Sequence, residues 1–147
     1  MIETQRLILK PFEKQDEKKL RLLLEDPDVM RFSTHGVYAK DEEIEVQNIC
    51  SVFLKDSLRW IGFCGIFQDG KNWEMGYRFL KENWGKGFAT EAVSAYIRHL
   101  RETPDITIFC YIDPENKASL RIAEKCALPF LEETLFKGHP ALKFLVS

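Results

Sequence analysis

The sequence predicts a mixed α/β fold, a central mixed β-sheet flanked by about four helices. Short β-branched and aromatic runs recur along the chain, and stretches with apolar residues three and four apart lie between them. Their order is strand, two helices, three antiparallel-looking strands, helix, strand, helix, two strands, which is not the alternation of a doubly wound sheet. At 147 residues the chain is expected to be one domain spanning 1–147.

Each element has its own signal. Thr4 to Phe12 alternates loosely and ends at Pro11, as a strand does. Asp16 is placed to cap a helix carrying Leu20, Leu23 and Leu24, stopped by Asp26-Pro27. Asp41 to Cys50 reads as a second, acidic helix after an irregular stretch through Gly36. Val52 to Leu54, Leu58 to Phe67 and Trp73 to Leu80 read as strands, the last two joined by a turn at Asp69-Gly70. After Gly85-Lys86-Gly87, the residues Ala89, Ala92, Val93, Tyr96, Ile97 and Leu100 form one helical stripe, closed by Pro104. Ile106 to Ile112 is a strand ended by Asp113-Pro114, and Asn116 can cap a short helix burying Leu120, Ala123 and Cys126. Strands near Phe130 to Phe136 and Leu142 to Val146 flank a turn at Gly138-His139-Pro140.

Composition narrows the function classes. Hydrophobic residues make up 45% of the chain, with eleven Phe, three Trp and four Tyr, too many for a disordered polymer. Lys plus Arg is 21 against 23 Asp plus Glu, a net charge of −2, which leaves no electrostatic footprint for nucleic acid. No apolar run approaches the ~20 residues of a membrane span. The opening Met1 to Leu7 turns polar too early for a signal peptide, so a cytoplasmic protein is expected. Cys50, Cys64, Cys110 and Cys126 are scattered through apolar stretches without metal-ligand spacing; they read as core thiols of a reducing compartment, and no metal site is expected.

Trp73 to Ala92 is the most informative segment: a strand, a loop with two glycines, then an amphipathic helix. Glycines let a backbone approach a ligand closely, and a first helix turn presents unpaired N–H groups and the positive dipole end. A phosphate suits that place; a merely tight connection is the alternative. The spacing matches neither a P-loop nor a Rossmann loop.

Glu74-Met75-Gly76-Tyr77, followed by Trp84-Gly85-Lys86-Gly87-Phe88-Ala89-Thr90-Glu91-Ala92, resembles the acetyl-CoA-binding core of the Gcn5-related N-acetyltransferase (GNAT) superfamily, and of its RimJ/RimL-type branch in particular. Thr4 to Phe12 is similar to that branch's opening strand, and Asn116-Lys117-Ala118-Ser119 with Ala123-Glu124-Lys125 resembles its second block. The resemblance implies the acyl-CoA N-acyltransferase fold and transfer of acetyl from acetyl-CoA to a primary amine, a protein N-terminus or a small molecule, by direct attack. It implies acetyl-CoA and an amine acceptor as the only partners, in a monomer or homodimer.

It also implies roles. Gly85, Lys86, Gly87, Phe88 and Ala89 would hold the pyrophosphate on backbone N–H groups, Thr90 would add a hydroxyl, and Trp84 would border them. Phe79, Leu80 and Lys81 would pair with the pantetheine arm, and Asn116 would bond it from the other side. Glu74 is placed as general base, in phase with Gly76 and Arg78; a carboxylate on a solvated strand face is the alternative. Ser119 is placed as proton donor or thiol contact; a serine bonding the helix backbone is its alternative.

The chain departs from the family pattern in four places. Ala123 falls where some relatives carry a tyrosine and Tyr111 where some carry a glutamate; Trp84 replaces Arg or Gln, and Ala127 a helix-ending glycine, costing about 1 kcal/mol if φ is positive there. His35 borders the acceptor side and is the histidine to test as a proton shuttle; Asp41, Glu42, Glu43 and Glu45 are a solvated face or an attractor for a cationic amine. The missing tyrosine keeps a second reading in view, a non-catalytic acyl-CoA-binding or regulatory relative.

Overall fold

The computed structural model describes residues 1–103 and 105–147. Its elements are β1 (Ile2–Glu3), β2 (Leu7–Pro11), α1 (Glu17–Leu24), β3 (Ile49–Leu54), β4 (Trp60–Asp69), β5 (Asn72–Phe79), α2 (Phe88–Leu100), β6 (Ile108–Ile112), α3 (Lys117–Lys125), β7 (Phe130–Phe136) and β8 (His139–Leu145), with short 3-10 turns at Lys14–Asp16 and Lys81–Asn83. The strands form one sheet in the order β1-β2-β3-β4-β5-β6-β8-β7. Neighbours are antiparallel except β5 and β6, which α2 joins as a crossover.

That parallel pair shapes the molecule. β5 and β6 are in register only at Trp73↔Ile108 and Glu74↔Phe109. Beyond Glu74 the strands diverge, and the sheet opens into a V whose walls are the end of β5 and the end of β6. Two apolar clusters sit on opposite faces of the sheet. On one, Val93, Tyr96, Ile97 and Leu100 of α2 and Ile122 and Ala123 of α3 pack with Leu7, Leu9, Val52, Met75 and Ile108. On the other, Leu20, Leu23 and Leu24 of α1 pack with Met30, Ile49, Trp60 and Phe63. Strand alternation divides β5 accordingly: Met75 and Phe79 belong to the first cluster, while Glu74, Gly76 and Arg78 stand opposite Phe67, Gly65 and Phe63 on the α1 face.

Three sequence expectations change. No helix forms over Asp41 to Cys50; residues 39–48 are irregular, and β3 already begins at Ile49, so α1, α2 and α3 are the helices of the described residues. The reason lies in the sequence: Ile44 and Val46 pack on the α1 cluster while Glu43 and Glu45 are exposed, a period of two, and Asp41 and Glu45 would meet as like charges at i,i+4 of a helix. Asp16 precedes α1, but its side chain turns back to accept from the Glu13 N–H at 3.0 Å and the buried Ser51 hydroxyl at 2.8 Å, so its carboxylate does not cap the helix. The final strand starts at His139, leaving Lys137 and Gly138 as the turn, with positive φ of 49° and 83°. The stop expected at Pro104 lies outside the described residues; α2 itself ends at Leu100.

α3 keeps its expected cap and gains a defined end. Asn116 Oδ1 accepts from Ser119 N–H at 3.2 Å. At the other end Leu128 N–H donates to Ala123 C=O and Ala127 N–H to Glu124 C=O, each at 3.0 Å, the Schellman pair, with Ala127 at φ 54°. Leu120 and Cys126 are only partly buried, and Ile122 takes the central place instead. No helix among the described residues is long and apolar enough to cross a membrane, and those residues hold no cluster of three metal-binding side chains.

Candidate active site

The loop between β5 and α2 presents a row of free backbone donors. Gly85 and Gly87 adopt φ of 75° and 80°, the left-handed region that favours glycine, and Gly87 occupies the N-cap of α2. The first intrahelical bond runs from Glu91 N–H to Gly87 C=O. The N–H groups of Gly85, Lys86, Gly87, Phe88, Ala89 and Thr90 have no partner among the described residues. They converge at the positive end of a 13-residue helix, a cradle suited to an anion.

A latch from the other end of the chain holds this cradle. Glu91 accepts from the Thr4 hydroxyl, from Arg6 N–H at 2.8 Å and from Arg6 Nε at 2.8 Å, while Arg6 Nη1 donates to Lys86 C=O at 2.9 Å. The guanidinium lies 4.5 Å from the centre of the Phe88 ring. Burial raises the Glu91 pKa, but the bonds from Thr4 and Arg6 and the Arg6 charge outweigh it and hold the carboxyl below its ordinary range. Trp84 closes the opposite side: its indole N–H donates to Phe79 C=O at 2.9 Å, pinning the loop to the end of β5.

The V between β5 and β6 continues from the cradle. Leu80 N–H donates to Ile61 C=O on β4, so by strand alternation the N–H groups of Tyr77 and Phe79 point the other way, into the V. Leu80 offers little to a ligand, since its C=O also accepts from Asn83 N–H; Lys81 C=O accepts from Trp84 N–H and its ammonium pairs with Asp28 at 2.6 Å. Of the three residues proposed for pantetheine pairing, Phe79 has an N–H turned into the V, where Tyr77 joins it, and Lys81 keeps an N–H without a partner among the described residues.

A cavity of about 280 Å³ fills the bottom of the V and runs under the loop that follows α1. Glu74, Arg78, Asn116, Ser119, Tyr111 and His35 all reach it, whereas the cradle residues lie outside. Burial raises the Glu74 pKa, Asp69 adds to the rise, and Lys137, 3.9 Å away, and Arg78 oppose it; the net shift is upward, in the direction a general base requires. Its side chain is 19% exposed, so water reaches it.

Ser119 comes near a residue that the sequence reading gave no role in the site. The Ser119 hydroxyl lies near the Tyr77 phenol without a hydrogen bond to it among the described residues; burial pushes the phenol pKa up and Ser119 draws it back down. Ser119 N–H is capped by Asn116, and its Oγ makes no hydrogen bond to the helix backbone, so helix capping belongs to Asn116. Tyr111 stacks on Phe136 at 4.1 Å between ring centres and forms part of the cavity wall. His35 stacks on Tyr38 and is hydrogen-bonded to Glu42, which also accepts from Ala39 N–H. That pairing is where one of the acidic residues is used. Cys110 also reaches the cavity, but burial pushes its thiol up to about 12, far from the thiolate a nucleophile needs. The latch, Tyr77 and Arg78 are what the sequence reading missed as site residues; Glu91, Tyr77 and Arg78 lie near the glycine segment in sequence, but nothing local signalled Thr4 or Arg6.

The sequence and fold that carry this site are shared with known proteins. A family model described as an acetyltransferase (GNAT) domain matches residues 6–128. The protein YkkB of Bacillus subtilis (strain 168) is 32% identical over 145 residues, which cover 86% of this chain and 84% of that protein. A GNAT-family acetyltransferase from Bacillus anthracis shares the fold with a TM-score of 0.79 at 21% identity, over 98% of this chain and 95% of its own. The spermidine N-acetyltransferase from Vibrio cholerae, solved with CoA and spermine, gives a TM-score of 0.78 at 15% identity, over 97% and 95%. With a family model running from the Arg6 latch through the Schellman end of α3, the chain belongs to the GNAT acetyltransferase family.

Proposed function

We propose that this protein, working as one domain in the cytoplasm as a monomer or homodimer, transfers an acetyl group from acetyl-CoA to a primary amine by direct attack, as a member of the RimJ/RimL-type branch. The observation that carries the reading is the run of six unpaired N–H groups from Gly85 to Thr90, held open by the Arg6–Glu91 latch. A pyrophosphate fits it by charge and by donor count, with Lys86 at its rim and the Thr90 hydroxyl as a further donor. Phe79 and Tyr77 N–H, with Asn116 across the V, suit an extended amide chain. Trp84 shapes this path by holding Phe79 and the loop together.

Bound acetyl-CoA would supply a thioester at the bottom of the V. The chain's own groups then divide the work. Glu74 takes a proton from the substrate ammonium, directly or through a water, which its raised pKa favours, and the neutral amine then attacks the carbonyl carbon. Backbone N–H groups of β5 face the carbonyl oxygen as negative charge develops there. The new C–N bond forms as the C–S bond breaks, and the Ser119 hydroxyl, which reaches the same cavity, gives its proton to the departing sulfur and recovers one from the newly bonded nitrogen. Cys110, held as a neutral thiol, supports transfer without a covalent enzyme intermediate.

The test is release of free CoA thiol from acetyl-CoA across peptides, polyamines, amino acids and aminoglycosides, with acetyl-CoA affinity measured by calorimetry. Binding together with amine-dependent thiol release is expected. Binding without transfer to any amine would favour the non-catalytic relative, and no binding would remove the cradle assignment.

A further inference from the structure

Among the polar groups that reach the cavity, Arg78 stands apart. It projects from the α1 face of β5 opposite Phe63, between a strand and an apolar cluster. Its guanidinium makes no hydrogen bond and no ion pair among the described residues, although Glu74, Asp113 and Glu45 reach the same cavity. A guanidinium carries five donors and stays charged, and this one, half-buried on the cavity wall, leaves its donors free for a ligand to complete. Desolvation already lowers its pKa.

The neighbours on that face say what the ligand is. Glu74, Gly76 and Arg78 alternate on one side of β5, an acid, a gap and a base. The middle position has no side chain, and a Cβ there would come within 3.2 Å of the Phe67 ring. The two charged Cα atoms are about 13 Å apart along the strand, and their side chains feel each other's charge without forming a contact. A floor that is negative at one end and positive at the other, with the edge of the Phe67 ring over the middle, complements a zwitterion with a short apolar bridge.

We propose that the amine acceptor carries a carboxylate, an α-amino acid or a close analogue, lying along the Phe67 edge with its amine toward Glu74 and its carboxylate on the Arg78 guanidinium. This deepens the acetyltransfer reading and rests on it. The product would be the N-acetyl amino acid together with the free CoA thiol. Planar, bidentate recognition is what an arginine supplies and a lysine does not. A polycation would place a positive charge against Arg78 and is disfavoured.

The experiment pairs each standard α-amino acid with the amine left when its carboxylate is removed, assayed by thiol release with acetyl-CoA. The wild-type protein should favour the acid of the best pair about 10–100-fold in kcat/KM, the worth of one charge-assisted bond. Arg78→Gln should bring that ratio close to one, chiefly through KM, and Arg78→Lys should retain part of it. Acetyl-CoA affinity by calorimetry should be the same in all three proteins, which also shows that they fold. Decarboxylated amines that serve equally well or better, or a ratio that Arg78→Gln leaves unchanged, would overturn the proposal while leaving acetyl transfer standing. Where no turnover is seen, the amino acids are titrated into CoA-saturated protein: binding that Arg78→Gln abolishes supports the carboxylate site, and no binding refutes it. Failure to bind acetyl-CoA would instead strike the transferase reading, and the same titration without CoA still decides on Arg78.

Discussion

Replacing Glu91 by glutamine takes one negative charge from a side chain that accepts three hydrogen bonds, two of them from Arg6. The isosteric amide keeps one acceptor and loses the charge assistance. Hydrogen bonds to charged groups contribute about 1.5–3 kcal/mol each when well shielded. Here Glu91 is 18% exposed but Arg6 is 44% exposed, so solvent screens the pair and a net loss of about 1–2 kcal/mol is expected for the set. At this chain length that corresponds to a melting temperature lower by roughly 2–4 °C per kcal/mol. The pH dependence supplies an independent check. The folded pKa of Glu91 is depressed, so its contribution is fully present above the unfolded value, near 4.5, and fades as pH falls through the lower folded value. Wild-type stability should therefore show an acid-side decline below about pH 4.5 that Glu91→Gln partly flattens. Because Arg6 holds the Lys86 carbonyl, CoA affinity should fall as well, by about tenfold for each 1.4 kcal/mol of lost preorganisation. Urea unfolding followed by tryptophan fluorescence, at pH 7 and pH 4, with CoA titrations alongside, measures all three. A variant with wild-type stability at both pH values and unchanged CoA affinity would refute the latch.

Other expected outcomes follow from single contacts. Glu74→Gln should lower the transfer rate by ~10²–10⁴, leave CoA affinity nearly unchanged and remove the acidic limb of the rate-pH profile, which in the wild type is displaced above the ordinary carboxylate range; steady-state kinetics against pH checks it. Ser119→Ala should reduce kcat with little change in stability, because Asn116 is the α3 cap, whereas Asn116→Ala should cost about 1 kcal/mol in urea melts. Ala127→Gly should stabilise the protein by about 0.5–1 kcal/mol, as relief of the left-handed strain at φ 54° exceeds the added freedom of the unfolded chain; a decrease in stability would show that Ala127 is unstrained.

Local pattern was enough to identify most of the fold. The three-and-four spacing from Ala92 to Leu100 marked α2 because burying one stripe is a property of a single helix, and the β-branched run ending at Ile112 marked β6 for a similar reason. Gly85-Lys86-Gly87 was legible as a turn with unpaired donors because its own backbone supplies the N–H groups, whereas the Arg6–Glu91 contacts that hold it were not. Asp41 to Cys50 was misread because four acidic residues look like a helix face until Ile44 and Val46 find the α1 cluster, a partner no local window contains. Tertiary structure alone decided the rest. Arg6 and Glu91 meet across 85 residues of sequence, and Tyr77 comes near Ser119 across the mouth of the V, so neither pair leaves a periodic trace. Arg78 is the plainest case: its residue type and strand phase were readable, but its lack of a partner depends on every other charge in the fold, and that balance exists only once the sheet has opened between β5 and β6.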